Sequence, residues 1–134
     1  MSEPRTLRGL IVDHGGVLDD PDGGPRLLDY VRRAADGGIA TALFSGAHAV
    51  PPECADAFGT VLLGAVRGAR KPSPDAFAAA AAAIGLDPAD CVVVDDQGAC
   101  VRGAVAAGAV GVQHVSAEAT LVELEILLGV TAGP

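Results

Sequence analysis

Residues 10–20 read LIVDHGGVLDD, and this segment indicates how the rest of the chain is arranged. Its apolar residues run directly into Asp13, and two glycines follow shortly after. A short apolar run that ends in turn-forming residues is typical of a buried β-strand. Asp13 would then lie at the carboxyl end of that strand, where open α/β sheets bind their ligands. From this segment alone, Asp13 is equally a site residue or a polar residue that opens a turn.

The composition indicates one folded domain over residues 1–134 rather than a disordered chain. Hydrophobic residues make up 50% of the sequence and charged residues 19%, which suits a domain with a core. Aromatic residues make up 3%, and the formal net charge is −8. Nucleic-acid binding uses aromatic stacking surfaces or a basic footprint, so we expect no nucleic-acid partner. An acidic protein can still bind phosphates through a metal ion.

The cysteines and the N-terminal segment favour a cytoplasmic protein. Cys54, Cys91 and Cys100 are odd in number and lack the spacing of a zinc site, so we expect them to pack as small hydrophobic residues. The first residues lack the apolar core of a signal peptide. No apolar run is long enough to span a membrane, so no membrane partner is expected.

Apolar segments of strand length alternate with segments of helix length along the chain. Strands are predicted over 10–12, 39–44, 60–63, 91–94 and 110–114, and helices over 26–35, 51–57, 74–83, 98–107 and 117–128. The alanine-rich part of the third helix is interpreted as a closely packed helix, since alanine is the best helix former. This alternation predicts an α/β fold: a three-layer, doubly wound, Rossmann-like sandwich with a mainly parallel sheet.

Polar residues follow three of the predicted strands. Asp13, Ser45 and the pair Asp95 and Asp96 end these strands, and Lys71 lies in a loop that can reach the same edge of the sheet. Parallel winding brings the carboxyl ends of the strands together. Neighbouring carboxylates repel one another and raise each other's pKa, so a lysine and a hard cation would stabilise the group. Mg²⁺ is bound by one or two carboxylates together with water and phosphate oxygens, and the pattern therefore indicates a magnesium site.

Four segments, in order, resemble the motifs of the haloacid-dehalogenase-like (HAD) superfamily of hydrolases. Residues 12–19 (VDHGGVLD) resemble the motif D-x-D-G-T/V-L-x-D, and 43–46 (LFSG) resemble the strand that ends in Ser or Thr. Residues 71–77 (KPSPDAF) resemble K-P-x-P-x-x-F, and 94–96 (VDD) resemble the acidic motif that precedes a helix. The resemblance covers nearly the whole chain and implies a HAD-like core.

The resemblance implies a role for each polar residue that would contact substrate. Asp13 would be the nucleophile, attacking a phosphoryl or carbon centre to form an aspartyl intermediate. Ser45 and neighbouring backbone N–H groups, such as that of Gly46, would bind the oxygens of the transferred group. Lys71 would contact the same group and neutralise charge on the nucleophile and on the transition state.

Mg²⁺ is the cofactor that the resemblance implies. Asp13, Asp96 and the backbone carbonyl of Gly15 would bind it, and Asp95, the remaining member of the predicted metal set, would support these ligands from behind. Gly15 stands where phosphatases of the family carry a second aspartate, which protonates the leaving group and activates water. Loss of such a group costs about 10²–10⁴ in rate, but the carbonyl of Gly15 remains available to the metal.

The intervals between the motifs are short. Asp13 to Ser45 leaves room for one helix, and Ser45 to Lys71 for one helix and one strand. Neither interval can hold the cap domain that covers the site in many relatives. An open site suits a large substrate, or one that a partner subunit covers. The partners considered are a small-molecule or macromolecular phosphorylated substrate and, in a homodimer, a second copy of the chain.

Three functions are therefore considered. The leading hypothesis is a capless, Mg²⁺-dependent HAD-like hydrolase that acts on a phosphate ester or related group through Asp13. The alternative is a catalytically impaired relative that binds a phosphorylated ligand or a protein, and Gly15 motivates it. A metal-independent dehalogenase also lacks the second aspartate, but adjacent Asp95 and Asp96 and the absence of a cap disfavour it.

Other polar residues near the motifs are interpreted as structural first. His48, Asp19 and Asp20 are candidates for a substitute acid, with a loop role as the simpler interpretation. His14 follows the nucleophile directly, and successive side chains at a strand end point in opposite directions, so we expect it to point away from the site. His114, just after a predicted strand, is expected to be structural.

Overall fold

The computed structural model describes residues 6–133. The strands are β1 (Gly9–Val12), β2 (Ala40–Ser45), β3 (Thr60–Leu63), β4 (Cys91–Asp95) and β5 (Val110–Gln113). The helices are α1 (Gly23–Asp36), α2 (Pro52–Ala55), α3 (Pro74–Ala83), α4 (Gly98–Ala106) and α5 (Ala117–Leu128), and a 3₁₀ turn, Pro88–Asp90, precedes β4. Strands and helices alternate, as the hydrophobic pattern predicts.

The strands form a five-stranded parallel sheet in the order β3-β2-β1-β4-β5. In its centre, Val12 of β1 lies opposite Leu43 of β2 and Val94 of β4. The strand order therefore reverses direction at β1, which is the position where doubly wound sheets open a crevice for ligands. The carboxyl ends of β1, β2 and β4 lie side by side there. The predicted α/β fold with a parallel, doubly wound sheet is confirmed.

Alternate residues of the central strands pack on opposite faces of the sheet. Leu10 and Val12 join the core cluster that contains α1 and α5, whereas Ile11 joins the cluster that contains α3 and α4. Helices thus cover both faces, as three layers require. Along the described residues the elements follow one another without an inserted domain, and the fold has no cap.

The alanine-rich helix α3 packs closely against the sheet, as interpreted from the sequence. Ala76, Ala80 and Ala81 are completely buried. The ring of Phe77 packs edge-on against Phe44 of β2, with ring centroids 5.8 Å apart. Small side chains let α3 approach the strands, so this segment belongs to the core.

Helix α1 begins at Gly23, three residues earlier than predicted. The sequence 21–25 is rich in glycine and proline, a composition typical of a loop, but Pro25 fits the first turn of a helix, where its missing N–H is not needed. Gly24 is buried against the backbone of Leu18, and a Cβ at this position would collide with the carbonyl oxygen of Leu18. Gly24 therefore allows a close approach rather than a turn.

All three cysteines are buried and free of disulfides, as expected. Within residues 6–133, no helix is both long and apolar enough to cross a membrane. The expectation that the first residues form no signal peptide concerns residues 1–5, which lie outside the described part of the chain.

Candidate active site

Asp13 lies immediately after β1, at the carboxyl edge of the sheet. Its backbone N–H donates to the carbonyl oxygen of Val94 on β4 at 3.0 Å, so the strand pairing extends to Asp13 and fixes its position. Its side chain is 13% exposed. The carboxylate is thus partly shielded from bulk water but can still be reached from the crevice.

Lys71 links the three central strands through its ammonium group. Its Nζ lies 3.0 Å from Asp13 Oδ1, 2.8 Å from Asp95 Oδ2 and 3.0 Å from the carbonyl oxygen of Phe44. The same nitrogen lies 5.2 Å from the centroid of the Phe44 ring, within cation–π range. Because an ammonium group has three N–H bonds, these three acceptors use all of them. The predicted meeting of Lys71 and Asp13 is present.

Asp95 holds Lys71 in place from the end of β4. Its side chain is almost completely buried, at 1% exposure. Oδ2 accepts from Lys71, and Oδ1 accepts from the backbone N–H of Gln97 at 3.0 Å. Both oxygens of Asp95 therefore have protein partners. That Asp95 supports the direct ligands from behind stays a prediction.

Asp96 has the features of a cation ligand. Ligand oxygens of Asp13, Asp95 and Asp96 lie within 4.8 Å of one another. Asp96 Oδ1 is buried and has no hydrogen-bond partner among residues 6–133. A buried carboxylate oxygen without a donor is costly, and a bound cation would satisfy it. The donor set, made of carboxylate oxygens, suits Mg²⁺.

Gly16 makes room for the carboxylate of Asp96. Its φ is +76°, and a Cβ at this position would collide with Asp96 Oδ2. Both observations require glycine here, since other residues rarely adopt this conformation. The second glycine of the first motif thus has a specific task in the acidic cluster.

The charges of the cluster shift the pKa of both Asp13 and Lys71. Burial raises the pKa of Asp13, the charge and hydrogen bond of Lys71 oppose this, and the charge of Asp95 adds to it. Burial alone would lower the pKa of Lys71, but the hydrogen bonds and charges of Asp95 and Asp13 outweigh burial and raise it. Lys71 is therefore protonated at neutral pH. The charged Lys71 therefore stabilises the fold at neutral pH, and this stabilisation is lost only as the pH rises through its raised pKa.

Ser45 ends β2 beside this cluster. The residue is buried, and its Oγ accepts from the backbone N–H of Ala47 at 3.1 Å. Its carbonyl oxygen accepts from Gly64 at 2.8 Å, which ties the end of β2 to that of β3. The hydroxyl hydrogen of Ser45 remains available to donate. Gly46 follows at the exposed edge, so the two predicted substrate-binding positions lie at the mouth of the crevice.

The loop after Asp13 is held by its own backbone and by Asp19. The carbonyl oxygen of His14 accepts from Val17 and Leu18, at 3.1 and 2.8 Å. Asp19 Oδ1 accepts from the N–H of Gly16 at 3.0 Å, so a loop role for Asp19 accounts for its position. Gly15 is exposed on this loop, and a Cβ there would meet nothing within 4 Å.

Two of the remaining candidates from the sequence, His114 and Asp20, make contacts within the chain. His114 is buried, with Nδ1 2.7 Å from Thr120 Oγ1, and burial lowers its pKa. Asp20 Oδ1 accepts from the backbone N–H of Asp22 at 3.1 Å within the loop. His48 is exposed on the segment that follows β2.

Three contributors to the site were missed by sequence reasoning. Phe44 supplies both a carbonyl oxygen and a ring to Lys71, Gln97 supplies its backbone N–H to Asp95, and Gly16 makes room for Asp96. The motif glycine at 16 was visible as a signal. Phe44 contacts Lys71 through its carbonyl oxygen and its ring, and Gln97 contacts Asp95 through its backbone N–H. The residue types alone do not reveal such contacts.

A doubly wound parallel sheet that gathers carboxylates and one lysine at its switch point defines an α/β protein with a ligand site at the ends of its central strands. The family model of haloacid dehalogenase-like hydrolases matches residues 12–108, and the chain belongs to this family. The matched range contains every residue of the cluster, and the resemblance found in the sequence motifs is confirmed.

Several solved structures have a similar fold. An uncharacterized protein from Corynebacterium glutamicum ATCC 13032 Kitasato is 38% identical, with a TM-score of 0.81 over 96% of this chain and 99% of that chain. A HAD family enzyme from Bacteroides thetaiotaomicron, solved in complex with magnesium and inorganic phosphate, is 13% identical, with a TM-score of 0.62 over 82% of this chain and 95% of that chain. A 2-haloacid dehalogenase from Pseudomonas syringae pv. Tomato DC3000 is 14% identical, with a TM-score of 0.60 over 81% and 86%. No curated protein matches the chain.

Proposed function

We propose that this HAD-like hydrolase is Mg²⁺-dependent and acts on a phosphate ester or related phosphoryl group, with Asp13 as the nucleophile. One observation carries the proposal. Lys71 bridges Asp13 and Asp95, and the oxygen of Asp96 that lacks a donor belongs to an acidic group whose ligand atoms lie within 4.8 Å of one another. This is a charge arrangement suited to a dianionic group and a divalent cation.

Asp13 would attack the phosphorus atom with one carboxylate oxygen. Oδ1 is held by Lys71 at 3.0 Å, so Oδ2 is the oxygen that would form the new bond. The attack gives an aspartyl phosphate, whose hydrolysis returns the carboxylate. Lys71 orients the nucleophile and lies where it reduces repulsion between the carboxylate and an incoming phosphate.

Asp13, Asp96 and the carbonyl oxygen of Gly15 would hold Mg²⁺. The ion would supply positive charge to the phosphate oxygens at the moment of transfer. Ser45 would donate its hydroxyl hydrogen to a phosphate oxygen, and the backbone N–H of Gly46 lies close enough in sequence to assist. The magnesium and phosphate bound by the Bacteroides thetaiotaomicron enzyme, which shares this fold, support the choice of ion and of substrate group.

The site is open because no cap is inserted within the described residues. A phosphorylated macromolecule or a small phosphate ester could therefore approach, and a second copy of the chain could cover the edge of the sheet. Three buried, unpaired thiols support a reducing compartment, the cytoplasm, for this activity.

Phosphate release from a broad panel of phosphorylated compounds tests the proposal. We expect turnover by the wild type that requires Mg²⁺ and is lost in EDTA and in Asp13→Asn. Circular dichroism and thermal melts of the variant serve as the control for folding. If no compound releases phosphate faster with the wild type than with Asp13→Asn, the proposal is wrong.

A second candidate function is a binding module for a phosphorylated ligand or a protein. The observation that favours it is Gly15, which leaves the site without a carboxyl group at the position of the family's acid. Gly15→Asp separates the two functions, since open space surrounds the new side chain. A large gain in phosphatase rate favours a hydrolase that is limited by this position. Unchanged inactivity together with retained phosphate binding favours the module.

A further inference from the structure

The surroundings of Asp13 offer few groups that could give a proton to a leaving group. Gly15 is exposed, with nothing within 4 Å of the position that a Cβ would take. Its φ is not among the positive values of the chain, so an ordinary side chain could stand there. Position 15 therefore supplies no side chain that could give a proton to a leaving group.

Lys71 is positioned to orient rather than to donate a proton. Its three N–H bonds are used by Asp13, Asp95 and the carbonyl oxygen of Phe44, at 2.8–3.0 Å. Since all three N–H bonds of Lys71 already have acceptors, none of them is directed at a leaving group.

The carboxylates around Asp13 are occupied as acceptors. Asp95 accepts at both oxygens, from Lys71 and from the N–H of Gln97. Asp19 Oδ1 accepts from the N–H of Gly16. Oxygens that already accept N–H bonds from the protein are not arranged to donate a proton to a leaving group.

The imidazoles are not held toward Asp13 either. His114 is buried, and its Nδ1 is engaged with Thr120 at 2.7 Å. The side chains of His14 and His48 make no hydrogen bond to any residue in the range 6–133. A general acid contributes when it is positioned, and nothing in the described chain positions these two rings.

We propose that the site accepts phosphoryl donors whose leaving group departs as a stable anion, namely acyl phosphates. The aspartyl phosphate on Asp13 is then hydrolysed more slowly than it forms, so it accumulates. This inference rests on the function proposed above and specifies its substrate class. The carboxylate released from an acyl phosphate needs no proton, whereas the alkoxide released from an alkyl phosphate does.

The transfer step balances without a proton from the protein. Oδ2 of Asp13 forms a bond to phosphorus, the bond between phosphorus and the acyl oxygen breaks, and the electron pair leaves with the carboxylate. In the second step, water attacks the aspartyl phosphate, loses a proton to solvent and returns Asp13 as a carboxylate with inorganic phosphate. Gly15 provides no base for this water, so the second step is slow, by the factor of about 10²–10⁴ that a positioned acid or base supplies.

Rapid-quench measurements with acetyl phosphate and glycerol 3-phosphate, both with Mg²⁺, test the inference. With acetyl phosphate we expect a burst in which each chain gains one phosphoryl group, followed by slower release of phosphate. With glycerol 3-phosphate we expect a rate lower by about 10²–10⁴ and no burst. Intact-mass spectrometry of the quenched protein measures the phosphorylated fraction.

Gly15→Asp and Gly15→Asn provide matched variants of similar size. The aspartate is expected to remove the burst and to raise turnover of glycerol 3-phosphate by at least tenfold more than the asparagine does, since asparagine cannot exchange a proton. Equal turnover of the two donors by the wild type, without a burst, overturns the inference while the proposed hydrolase stands. Absence of both phosphorylation and phosphate release with any donor overturns the proposed function as well.

Discussion

Gly16 and Asp96 form a close contact within the proposed cation site. In Gly16→Ala the new methyl group would collide with the carboxylate of Asp96, and the left-handed backbone would cost about 1–2 kcal/mol. We expect a lower melting temperature and the loss of Mg²⁺-dependent stabilisation. Differential scanning fluorimetry with and without Mg²⁺ measures both effects.

Substitutions at two other glycines distinguish the effect of backbone strain on stability from the effect of displacing Asp96. Gly38 also has a positive φ, +94°, but a Cβ there meets nothing within 4 Å. Gly38→Ala should therefore lower stability without changing the response to Mg²⁺. Gly15→Ala should alter stability by no more than about 0.5 kcal/mol, as is usual for an open surface position. An identical Mg²⁺ response in Gly16→Ala and Gly38→Ala would contradict the role assigned to Gly16.

The position proposed to make Asp13 the nucleophile also lowers the stability of the chain when no metal is bound. Its pKa is raised above the ordinary 3.8, so folding favours the protonated carboxyl. This contribution to stability is complete below the ordinary pKa and is lost as the pH rises through the raised value. At neutral pH the ionised Asp13 therefore opposes folding.

We therefore expect Mg²⁺ to reverse the order of the melting temperatures of Asp13→Asn and the wild type. In EDTA at pH 7 we expect the variant to melt at the same temperature as the wild type or higher, with the difference closing toward pH 4. With Mg²⁺ at 100 times its Kd, the wild type should gain about 2.7 kcal/mol and the variant much less. Melting curves in which the variant is less stable in EDTA, and equally stabilised by Mg²⁺, would refute this account.

Helix α4 positions the loop that carries Lys71. A Cβ on Gly103 would collide with the carbonyl oxygen of Pro72, the residue after Lys71, and would lie 3.2 Å from the Phe77 ring. Inside a helix, replacing glycine by alanine normally stabilises by about 0.5–1 kcal/mol. Here overpacking, at about 1–3 kcal/mol, should outweigh that gain.

We therefore expect Gly103→Ala to lower both the melting temperature and the phosphatase rate, since Lys71 would move with its loop. Val105→Ala on the same helix is the control: Val105 is 55% exposed, and its loss should change stability by no more than about 0.5 kcal/mol. A Gly103→Ala protein that is more stable and equally active would show that the loop does not depend on this contact.

The order and type of the elements could be predicted because their signals are local. Apolar runs identify strands, and Ser73 and Ser116 cap α3 and α5 by accepting backbone N–H bonds from Asp75 and Ala119. The start of α1 could not be predicted in the same way. Gly24 belongs to the helix because it packs against Leu18, and such tertiary contacts override the usual meaning of glycine.

The acidic group and Lys71 could be predicted from the whole fold, since parallel strands bring their carboxyl ends to one edge. The individual hydrogen bonds of this group could not be predicted from the sequence. Which oxygen of Asp95 receives Lys71, and which oxygen of Asp96 lacks a donor, depends on loop conformations that residue identity does not encode. The pattern of residues therefore predicts which side chains meet, and the structure shows that Asp95 bonds to Lys71 while one oxygen of Asp96 has no donor among residues 6–133.

Across the whole molecule, a net charge of −8 surrounds a site proposed to accept an anionic substrate. Lys71 is held inside the acidic group, and the proposed Mg²⁺ would supply most of the remaining compensating charge. In the proposed reaction, the phosphoryl group is transferred to Asp13 beside Lys71 and Mg²⁺.

Chemical trapping of the phosphorylated residue tests that claim most directly. The wild type is incubated with acetyl phosphate and Mg²⁺, quenched in acid and reduced with borohydride, which converts an aspartyl phosphate to homoserine, and its peptides are sequenced by mass spectrometry. The account predicts homoserine at position 13, dependent on Mg²⁺ and absent when the donor is omitted. An unmodified Asp13, or modification at another carboxylate, would contradict it.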